Sequence, residues 1–560
     1  MKGKQSLSFI LSTLLLTSVI LSGCGADKNV KSEGASEAKQ EETKLEETII
    51  NPLGKYDPPI DVTAAKFITQ DVKYPDGQSE ENNAWEALYK EMGINLKYDW
   101  IVKGTDAQYF QKLNVTIASG DIPDLMMVNS TQLKQLVEAD MLEDITDAYN
   151  QYATPEVKSI FEKDKMALQS ATFDNKLYAI PKTEPMIGGQ TPVLWVRTDW
   201  LKKLNLPEPK TWEDVLNTMK AFTTQDPDGN SKQDTFGVAL SKEVVNGYPS
   251  VNGFFNAYGA YPRIWTKDSS GNLIYGSIQP EVKTALAQLA DMYKTGELDK
   301  EFGVKDGSKV AESLVNDRVG VLFGPSWAVQ WPLQDNKKKN NEAEWRALPI
   351  PSIDGGDASV QMPFGASFYF VVKKGITHPE IVVKLANLFT EKLYGQSADY
   401  LKYGVDAKGT TTAKYSFVDL AAPDKDLKRS QKVAEALKNT DPSKLNPEEK
   451  STYDKIISFQ QKGDLNFYGE TYQSGPDGAM MVLQKLWDGK KIVSEGYGGA
   501  PTETMGEKKA TLDKMETEIF TKIIYGAASI DTFDKFVEDW KNLGGEQITK
   551  EVNEWNVSQK

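Results

Sequence analysis

Residues 94–128 read INLKYDWIVKGTDAQYFQKLNVTIASGDIPDLMMV, and this stretch predicts a strand, a helix and a second strand. Residues 94–102 alternate as a half-buried strand does. Thr105 is placed to cap a helix that stops at Ser119-Gly120, and residues 124–128 form a short apolar strand. Strands that alternate with helices of this length form βαβ units, so the sequence predicts an α/β fold around a largely parallel sheet.

The same alternation continues along most of the chain. Beyond residue 428 the pattern becomes mainly helical, with residues 502–524 and 531–556 the clearest segments, and no fixed-period repeat is present. The sequence therefore predicts an α/β body with a mainly helical C-terminal part. Earlier strand and helix patterns occupy residues 62–69, 83–93, 236–240, 282–293, 319–323 and 368–372.

The N-terminus has the pattern of a secretory signal. Lys2 and Lys4 precede an apolar and hydroxyl run over residues 7–21, which is too short for a comfortable membrane span. The run ends in Leu21-Ser22-Gly23-Cys24, which resembles a bacterial lipobox, in which the cysteine is diacylated and becomes the mature N-terminus. The alternative is an ordinary signal peptide followed by a stray cysteine. Residues 24–56 are rich in Lys, Glu, Ser and Ala, and we expect them to form a disordered tether.

Composition excludes several classes of function. The chain has 65 basic and 80 acidic residues, a net charge of −15, and loss of residues 1–23 removes two lysines and no acid. This acidic balance argues against a nucleic-acid partner. Cys24 is the sole cysteine and His378 the sole histidine, which excludes intramolecular disulfides, cysteine-cluster zinc sites and His-x-x-x-His pairs and leaves little scope for a histidine general base. We expect His378, at a helix start, to be structural.

Six phrases, taken together and in order, resemble the family 1 extracellular solute-binding proteins of carbohydrate ABC importers. The likeness is greatest to the large lipoprotein branch found in Gram-positive bacteria, and it covers nearly all of the mature chain. The phrases are IASGDIPD at 117–124, LYAIP at 177–181, LWVRTDWL at 194–201, GVLFGPSW at 320–327, GAPTETM at 499–505 and LGGEQI at 543–548.

The resemblance implies a type II periplasmic-binding-protein-like fold, in which two discontinuous α/β lobes close on a ligand held between them. On this basis residues 57–181 and 366–430 form an N-terminal lobe, and residues 182–365 and 431–560 form a C-terminal lobe. The resemblance also implies that the closed form docks on membrane permease subunits. We expect a monomer, held by its lipid anchor on the extracellular face of the cytoplasmic membrane.

A sugar site needs flat aromatic side chains for the apolar sugar faces and planar polar groups for the hydroxyls. Candidate residues lie in loops, at the ends of predicted elements, or at a strand-to-helix junction of the kind where α/β sheets bind ligands. The alternative for each aromatic residue is a place in the core. The candidates are Asp121, Trp195, Arg197, Phe254, Tyr258, Trp265, Trp327, Trp331 and Tyr497.

A calcium loop is a further expectation. Asp226, Asp228, Asn230 and Asp234 supply oxygen ligands at positions 1, 3, 5 and 9 of an EF-hand-like loop, and Lys232 supplies its backbone carbonyl at position 7. The loop departs from that pattern, because Ser231 replaces the glycine at position 6 and the closing acidic residue is missing. The alternative is a solvated Asx turn.

The leading hypothesis is a non-catalytic, lipid-anchored protein that delivers an oligosaccharide to an ABC importer. No catalytic cofactor is expected, and structural Ca²⁺ is the one metal considered. One alternative is an extracellular carbohydrate-active enzyme with paired carboxylates. Another is a sensor subunit that presents bound ligand to a membrane histidine kinase.

Overall fold

The computed structural model describes residues 50–559 except residues 246, 367, 407 and 408. The predicted signal peptide, Cys24 and most of the predicted tether lie outside the described residues. Two residues assigned to the tether belong to the folded body instead. Asn387 Nδ2 donates to Pro52 O at 3.1 Å, and Tyr56 OH donates to Glu380 Oε1 at 2.9 Å.

Two main sheets organise the body, one with strand order β2-β1-β3-β14-β6 and one with order β12-β7-β11-β8. The strands are β1 Ile60–Thr69, β2 Ile94–Gly104, β3 Leu125–Asn129, β4 Thr172–Phe173, β5 Lys176–Leu177, β6 Ala179–Lys182, β7 Val193–Arg197, β8 Phe236–Val238, β9 Trp265–Lys267, β10 Leu273–Tyr275, β11 Val319–Gly324, β12 Trp345–Leu348, β13 Val360–Met362, β14 Phe368–Val372 and β15 Ile492–Ser494.

Helices cover the sheets and make up most of the chain after residue 425, as the sequence predicts. The α-helices are α1 Ala84–Glu91, α2 Asp106–Ser119, α3 Ser130–Glu138, α4 Thr146–Tyr152, α5 Pro155–Lys163, α6 Lys165–Ser170, α7 Met186–Gln190, α8 Thr198–Lys203, α9 Trp212–Thr224, α10 Asn252–Ala257, α11 Pro280–Thr295, α12 Gly307–Val315, α13 Leu333–Lys339, α14 Ile381–Tyr394, α15 Tyr400–Tyr403, α16 Lys425–Asn439, α17 Pro447–Lys462, α18 Tyr468–Ser474, α19 Ala479–Asp488, α20 Glu503–Ile524, α21 Thr532–Trp540 and α22 Glu546–Ser558.

The stretch 94–128 folds as its pattern predicts. Thr105 and Gln108 form a reciprocal capping box at the start of α2, which satisfies amides that the first helical turn leaves free. The helix ends at Gly120, whose φ of 76° is the left-handed conformation that glycine adopts without steric cost. Strand β1 then pairs in parallel with both β2 and β3.

The prediction of a largely parallel sheet is wrong for the second sheet and incomplete for the first. In the first sheet β14 runs antiparallel to both β3 and β6. In the second sheet β7 runs antiparallel to both β11 and β12, and β8 and β11 are the parallel pair. The direction of β14 depends on how the chain returns from the second sheet, which local sequence patterns do not encode.

Two large hydrophobic cores surround the two sheets. The first core takes its residues from positions 56–180 and 366–420, and the second from positions 187–360 and 427–552. Leu427, which we assigned to the N-terminal lobe, packs in the second core. The exact lobe boundaries stay a prediction. Among the described residues, we find no helix with the length and apolarity needed to cross a membrane.

Candidate ligand-binding cleft

Two adjoining cavities and a third, separate one are together called the cleft. The inner cavity has a volume of about 230 Å³ and lies at the end of β11. The middle cavity, about 210 Å³, shares Pro363 and Glu495 with the inner one. The outer cavity, about 560 Å³, is lined by residues 169–174 on one side and by Tyr497 and α22 on the other. Residues that pack with both cores therefore contribute to the cleft.

Trp327 and Tyr248 form an aromatic wall in the inner cavity. Trp327 lies on the turn Ser326–Val329 directly after β11, and its Nε1 donates to Gly189 O at 2.8 Å. Its ring centroid is 4.7 Å from that of Tyr248, and Trp331 packs against the same tyrosine at 5.7 Å. The structure thus brings the predicted residues Trp327 and Trp331 together through Tyr248. Sequence reasoning missed Tyr248, although the phrase Gly247-Tyr248-Pro249 places an aromatic ring in a turn.

Four neutral polar residues line the inner cavity, together with the charged residues Arg263 and Glu495. Gln190, Ser250, Asn252 and Gln361 contribute amide and hydroxyl groups. Among the described residues, Asn252 Oδ1 is buried and accepts no hydrogen bond. A buried acceptor without a donor is costly, so a ligand hydroxyl that donates to Asn252 would be stabilised here.

Glu495 lies where the inner and middle cavities meet, directly after β15. Its Oε1 accepts hydrogen bonds from the backbone N–H groups of Trp265 at 2.9 Å and Tyr497 at 3.0 Å. Burial raises the pKa of the Glu495 carboxyl to about 7, although these backbone donors act in the opposite direction. Sequence reasoning missed this residue, because a single glutamate in an acidic chain carries no distinguishing signal.

The outer cavity has an aromatic pair of its own. The predicted residue Tyr497 packs edge-to-face on Trp555 at 4.8 Å, and its hydroxyl donates to Ala500 O at 2.5 Å. Nearby, Glu551 Oε1 accepts from Thr504 Oγ1 at 2.6 Å and Gln547 Nε2 at 3.0 Å. Its Oε2 is buried without a partner among the described residues. This wall therefore offers another acceptor for a hydroxyl.

Three predicted site residues lie in the core instead, which corrects those expectations. Trp195 and Phe254 have no exposed surface, and Trp195 Nε1 donates to Pro325 O at 3.1 Å. Arg197 is also fully buried; its guanidinium contacts Asp199 Oδ2 at 2.7 Å and Asp317 Oδ1 at 2.6 Å. Both faces of the sheet around β7 are covered, so aromatic and charged side chains there pack internally.

The remaining predicted residues have only indirect access to the cleft, or none. Tyr258 is 9% exposed and its hydroxyl accepts from Trp212 Nε1 at 3.1 Å. Trp265 is 5% exposed, packs against Tyr275 with tilted rings, and donates its backbone N–H to Glu495. Asp121 is exposed just after α2 and is absent from the described lining of the three cavities.

The loop at residues 226–234 is closed by internal hydrogen bonds. Asp226 accepts from the backbone amides of Asn230 at 3.1 Å and Ser231 at 3.0 Å. Asn230 Nδ2 lies between two carboxylates, donating to Asp228 at 2.6 Å and Asp234 at 3.0 Å. Within residues 50–559 as described, no group of three or more His, Cys, Asp or Glu side chains is arranged to hold a metal ion. The four oxygen-bearing side chains are nevertheless the ligand type that Ca²⁺ prefers.

Comparisons with known proteins give consistent matches. A family model described as bacterial extracellular solute-binding protein matches residues 73–396. Two proteins of Bacillus subtilis (strain 168) resemble most of the chain. Lipoprotein LipO is 25% identical over 493 residues, 87% of this chain and 91% of LipO. Polygalacturonan/rhamnogalacturonan-binding protein YtcQ is 24% identical over 493 residues, 85% of this chain and 88% of YtcQ.

A solved structure has a similar fold at low sequence identity. The S. pneumoniae ABC-transporter substrate binding protein FusA, described as an EF-hand mutant in complex with fructo-nystose, aligns with a TM-score of 0.59 and 17% identity. The alignment covers 89% of this chain and 99% of the FusA chain. The predicted fold class is confirmed by likenesses of this kind.

Proposed function

The chain belongs to the bacterial extracellular solute-binding proteins, and from this premise we propose that it captures an oligosaccharide in the cleft and delivers it to an ABC permease. The observation that carries the proposal is the inner cavity, which the rings of Tyr248 and Trp327 line together with Asn252, whose Oδ1 has no partner in the described part of the chain. Aromatic faces pack against apolar sugar faces, and amide oxygens accept hydrogen bonds from sugar hydroxyls.

The length of the cleft supports a ligand of several sugar units. The inner and middle cavities share Pro363 and Glu495. Gly498 packs closely on the middle cavity, since a side-chain carbon there would meet Met166 Cγ at 2.2 Å. The next residue, Gly499, already lines the outer cavity. The adjoining inner and middle cavities, of about 230 and 210 Å³, therefore support a ligand of more than one sugar unit.

A thermal-shift screen of the chain without residues 1–24, against mono- and oligosaccharides, tests this function. A ligand that binds the native state raises its stability by RT ln(1 + [L]/Kd), so a sugar at 100 times its Kd should contribute about 2.7 kcal/mol. We expect oligosaccharides to raise Tm and to be recovered intact. New reducing ends would favour a carbohydrate-active enzyme. A Tm that no sugar of a broad panel changes would rule out sugar capture.

We further propose that a diacylated Cys24 anchors the protein, as a monomer, on the extracellular face of the cytoplasmic membrane. Support comes from Leu21-Ser22-Gly23-Cys24 and from the relative described as a lipoprotein. Mass spectrometry of the N-terminal peptide from membranes checks the anchor. An unmodified N-terminus upstream or downstream of Cys24 would contradict it.

Structural Ca²⁺ in the loop 226–234 is proposed from its oxygen donors and from the FusA relative described by its EF-hand. Asp226, Asp228, Asn230 and Asp234 would hold the ion by their side chains. Because a metal that binds only the native state stabilises it, chelation by EGTA should lower Tm, and added Ca²⁺ should restore it.

The matched control for this prediction is the variant Asp228→Asn, measured with and without chelator. Loss of the chelator response in this variant, with the response intact in the unaltered protein, would assign the ion to this loop. A Tm that chelation leaves unchanged in the unaltered protein would make the loop a solvated Asx turn.

A further inference from the structure

Resting on the proposed function, we infer that the cleft selects uncharged oligosaccharides and excludes sugar chains that carry uronate carboxylates. The inference depends on which charged groups line the three cavities and on how many of the cations are free to pair. The acidic residues of the described lining are Asp164, Asp174, Glu495, Glu503, Glu551 and Glu554, and the basic ones are Lys134, Lys163, Lys165 and Arg263.

Arg263, the one arginine among the described lining residues, already uses four of its five N–H groups. Its Nε donates to Glu516 Oε1 at 2.7 Å, and its second terminal nitrogen donates to Asp513 O at 2.9 Å and Thr517 Oγ1 at 3.0 Å. Its other terminal nitrogen is 3.2 Å from Asp513 Oδ1. A planar guanidinium is the best partner for a carboxylate, and this one has no free edge for a ligand.

The lysines that line the cleft are also poor partners for a ligand carboxylate. Lys163 pairs with Asp424 at 3.1 Å, and Lys134 lies 3.9 Å from Glu138. Among the described residues, Lys165 has no ion-pair partner, but it is exposed to solvent. An exposed ammonium interacts weakly with a ligand charge, since water and salt screen it.

Two of the acidic groups, Glu495 and the Oε2 atom of Glu551, are in contrast largely removed from solvent, whereas Glu503 and Glu554 are exposed. Glu495 separates the inner and middle cavities, and both of its hydrogen bonds come from backbone N–H groups rather than from a cation. In the outer cavity the Glu551 Oε2 has no partner among the described residues, and Glu503 and Glu554 line the same wall. A uronate beside Glu551, or beside Glu495 where that residue is ionised above its pKa of about 7, would set two carboxylates together in a poorly solvated site, which is strongly unfavourable.

A neutral sugar is not repelled by these carboxylates, because each of them can accept a hydrogen bond from a sugar hydroxyl. Asn252, Gln190 and Ser250 extend the same hydrogen-bonding chemistry into the inner cavity. Hydroxyls that donate to ionised acceptors form stronger hydrogen bonds than neutral pairs do. The cleft therefore matches a polyhydroxylated, uncharged chain.

Isothermal titration against matched oligosaccharides tests the inference. The probes are tri- to hexasaccharides of α-1,4-galacturonate, their fully methyl-esterified forms, and a panel of neutral fructo-, gluco-, xylo- and galacto-oligosaccharides. We expect a neutral probe to bind, and any galacturonate to bind at least tenfold more weakly than its own methyl ester. Tighter binding of the free acid would overturn the inference while leaving sugar capture intact. Binding by none of the probes would overturn the proposed function and this inference with it.

A charge variant tests whether the difference in Kd comes from electrostatic repulsion or from the shape of the sugar. Glu551→Gln should narrow the difference in Kd between a galacturonate and its ester, because it removes a carboxylate charge that is buried at the cleft. Glu342→Gln, at an exposed residue distant in sequence from the cleft lining, should leave the difference unchanged. An equal difference in Glu551→Gln and the unaltered protein would contradict an electrostatic origin.

Discussion

Replacing Arg197 with alanine is expected to lower the free energy of unfolding by about 3–5 kcal/mol, the cost of removing one partner from a buried ion pair. The guanidinium has no exposed surface and joins Asp199 to Asp317, residues 118 positions apart in the chain. It also stacks over the ring of Trp200 at 4.5 Å. Its loss leaves two carboxylates without their cation beneath the second sheet. The midpoint of urea unfolding measures the effect.

Because Arg197 is not among the described lining residues of the cleft, the folded variant should keep its affinity for sugar. Arg197→Lys should recover part of the stability, since the charge returns without the two-pronged geometry. Lys309→Ala, which removes an exposed pair with Glu312, should cost less than about 1 kcal/mol. Full stability with weakened sugar binding in Arg197→Ala would restore the sequence-based hypothesis that this residue holds the ligand.

Replacing Trp327 with alanine is expected to weaken oligosaccharide binding by about 1–3 kcal/mol, which is roughly a 5- to 150-fold rise in Kd. The indole lines the inner cavity and is held in place by Gly189 O and by the ring of Tyr248. Its removal takes away an aromatic face on which a sugar ring would pack. Isothermal titration with the sugar identified by the thermal-shift screen measures the change.

Two variants show whether the ring acts on the ligand or on the fold. Trp327→Phe keeps an aromatic face and loses only the Nε1 hydrogen bond, so it should bind more tightly than Trp327→Ala. Trp331 is 43% exposed and lies outside the described lining of the cavities, so Trp331→Ala should have a smaller effect. An unchanged Kd with a lowered Tm in Trp327→Ala would make this tryptophan a core residue.

The sequence alone specifies those helix starts and ends that depend only on neighbouring residues. Thr105 caps α2 because its own side chain bonds to an amide three residues later, and Gly120 ends it because glycine accepts a positive φ. The family resemblance rested in the same way on short phrases such as GVLFGPSW, whose strand, turn and tryptophan occur at β11 and Trp327. The single cysteine and single histidine limited the possible chemistry without any structural information.

Only the tertiary structure decided which aromatic and charged residues face the cleft. Trp195 and Trp327 look alike in sequence, since each belongs to a strand or its end, yet one is enclosed by both layers of its lobe and the other lines a cavity. The residues of the inner cavity, Tyr248, Trp327 and Glu495, are separated by 79 and 168 positions. No local pattern joins positions so far apart; they meet because burial of the second core packs their segments together.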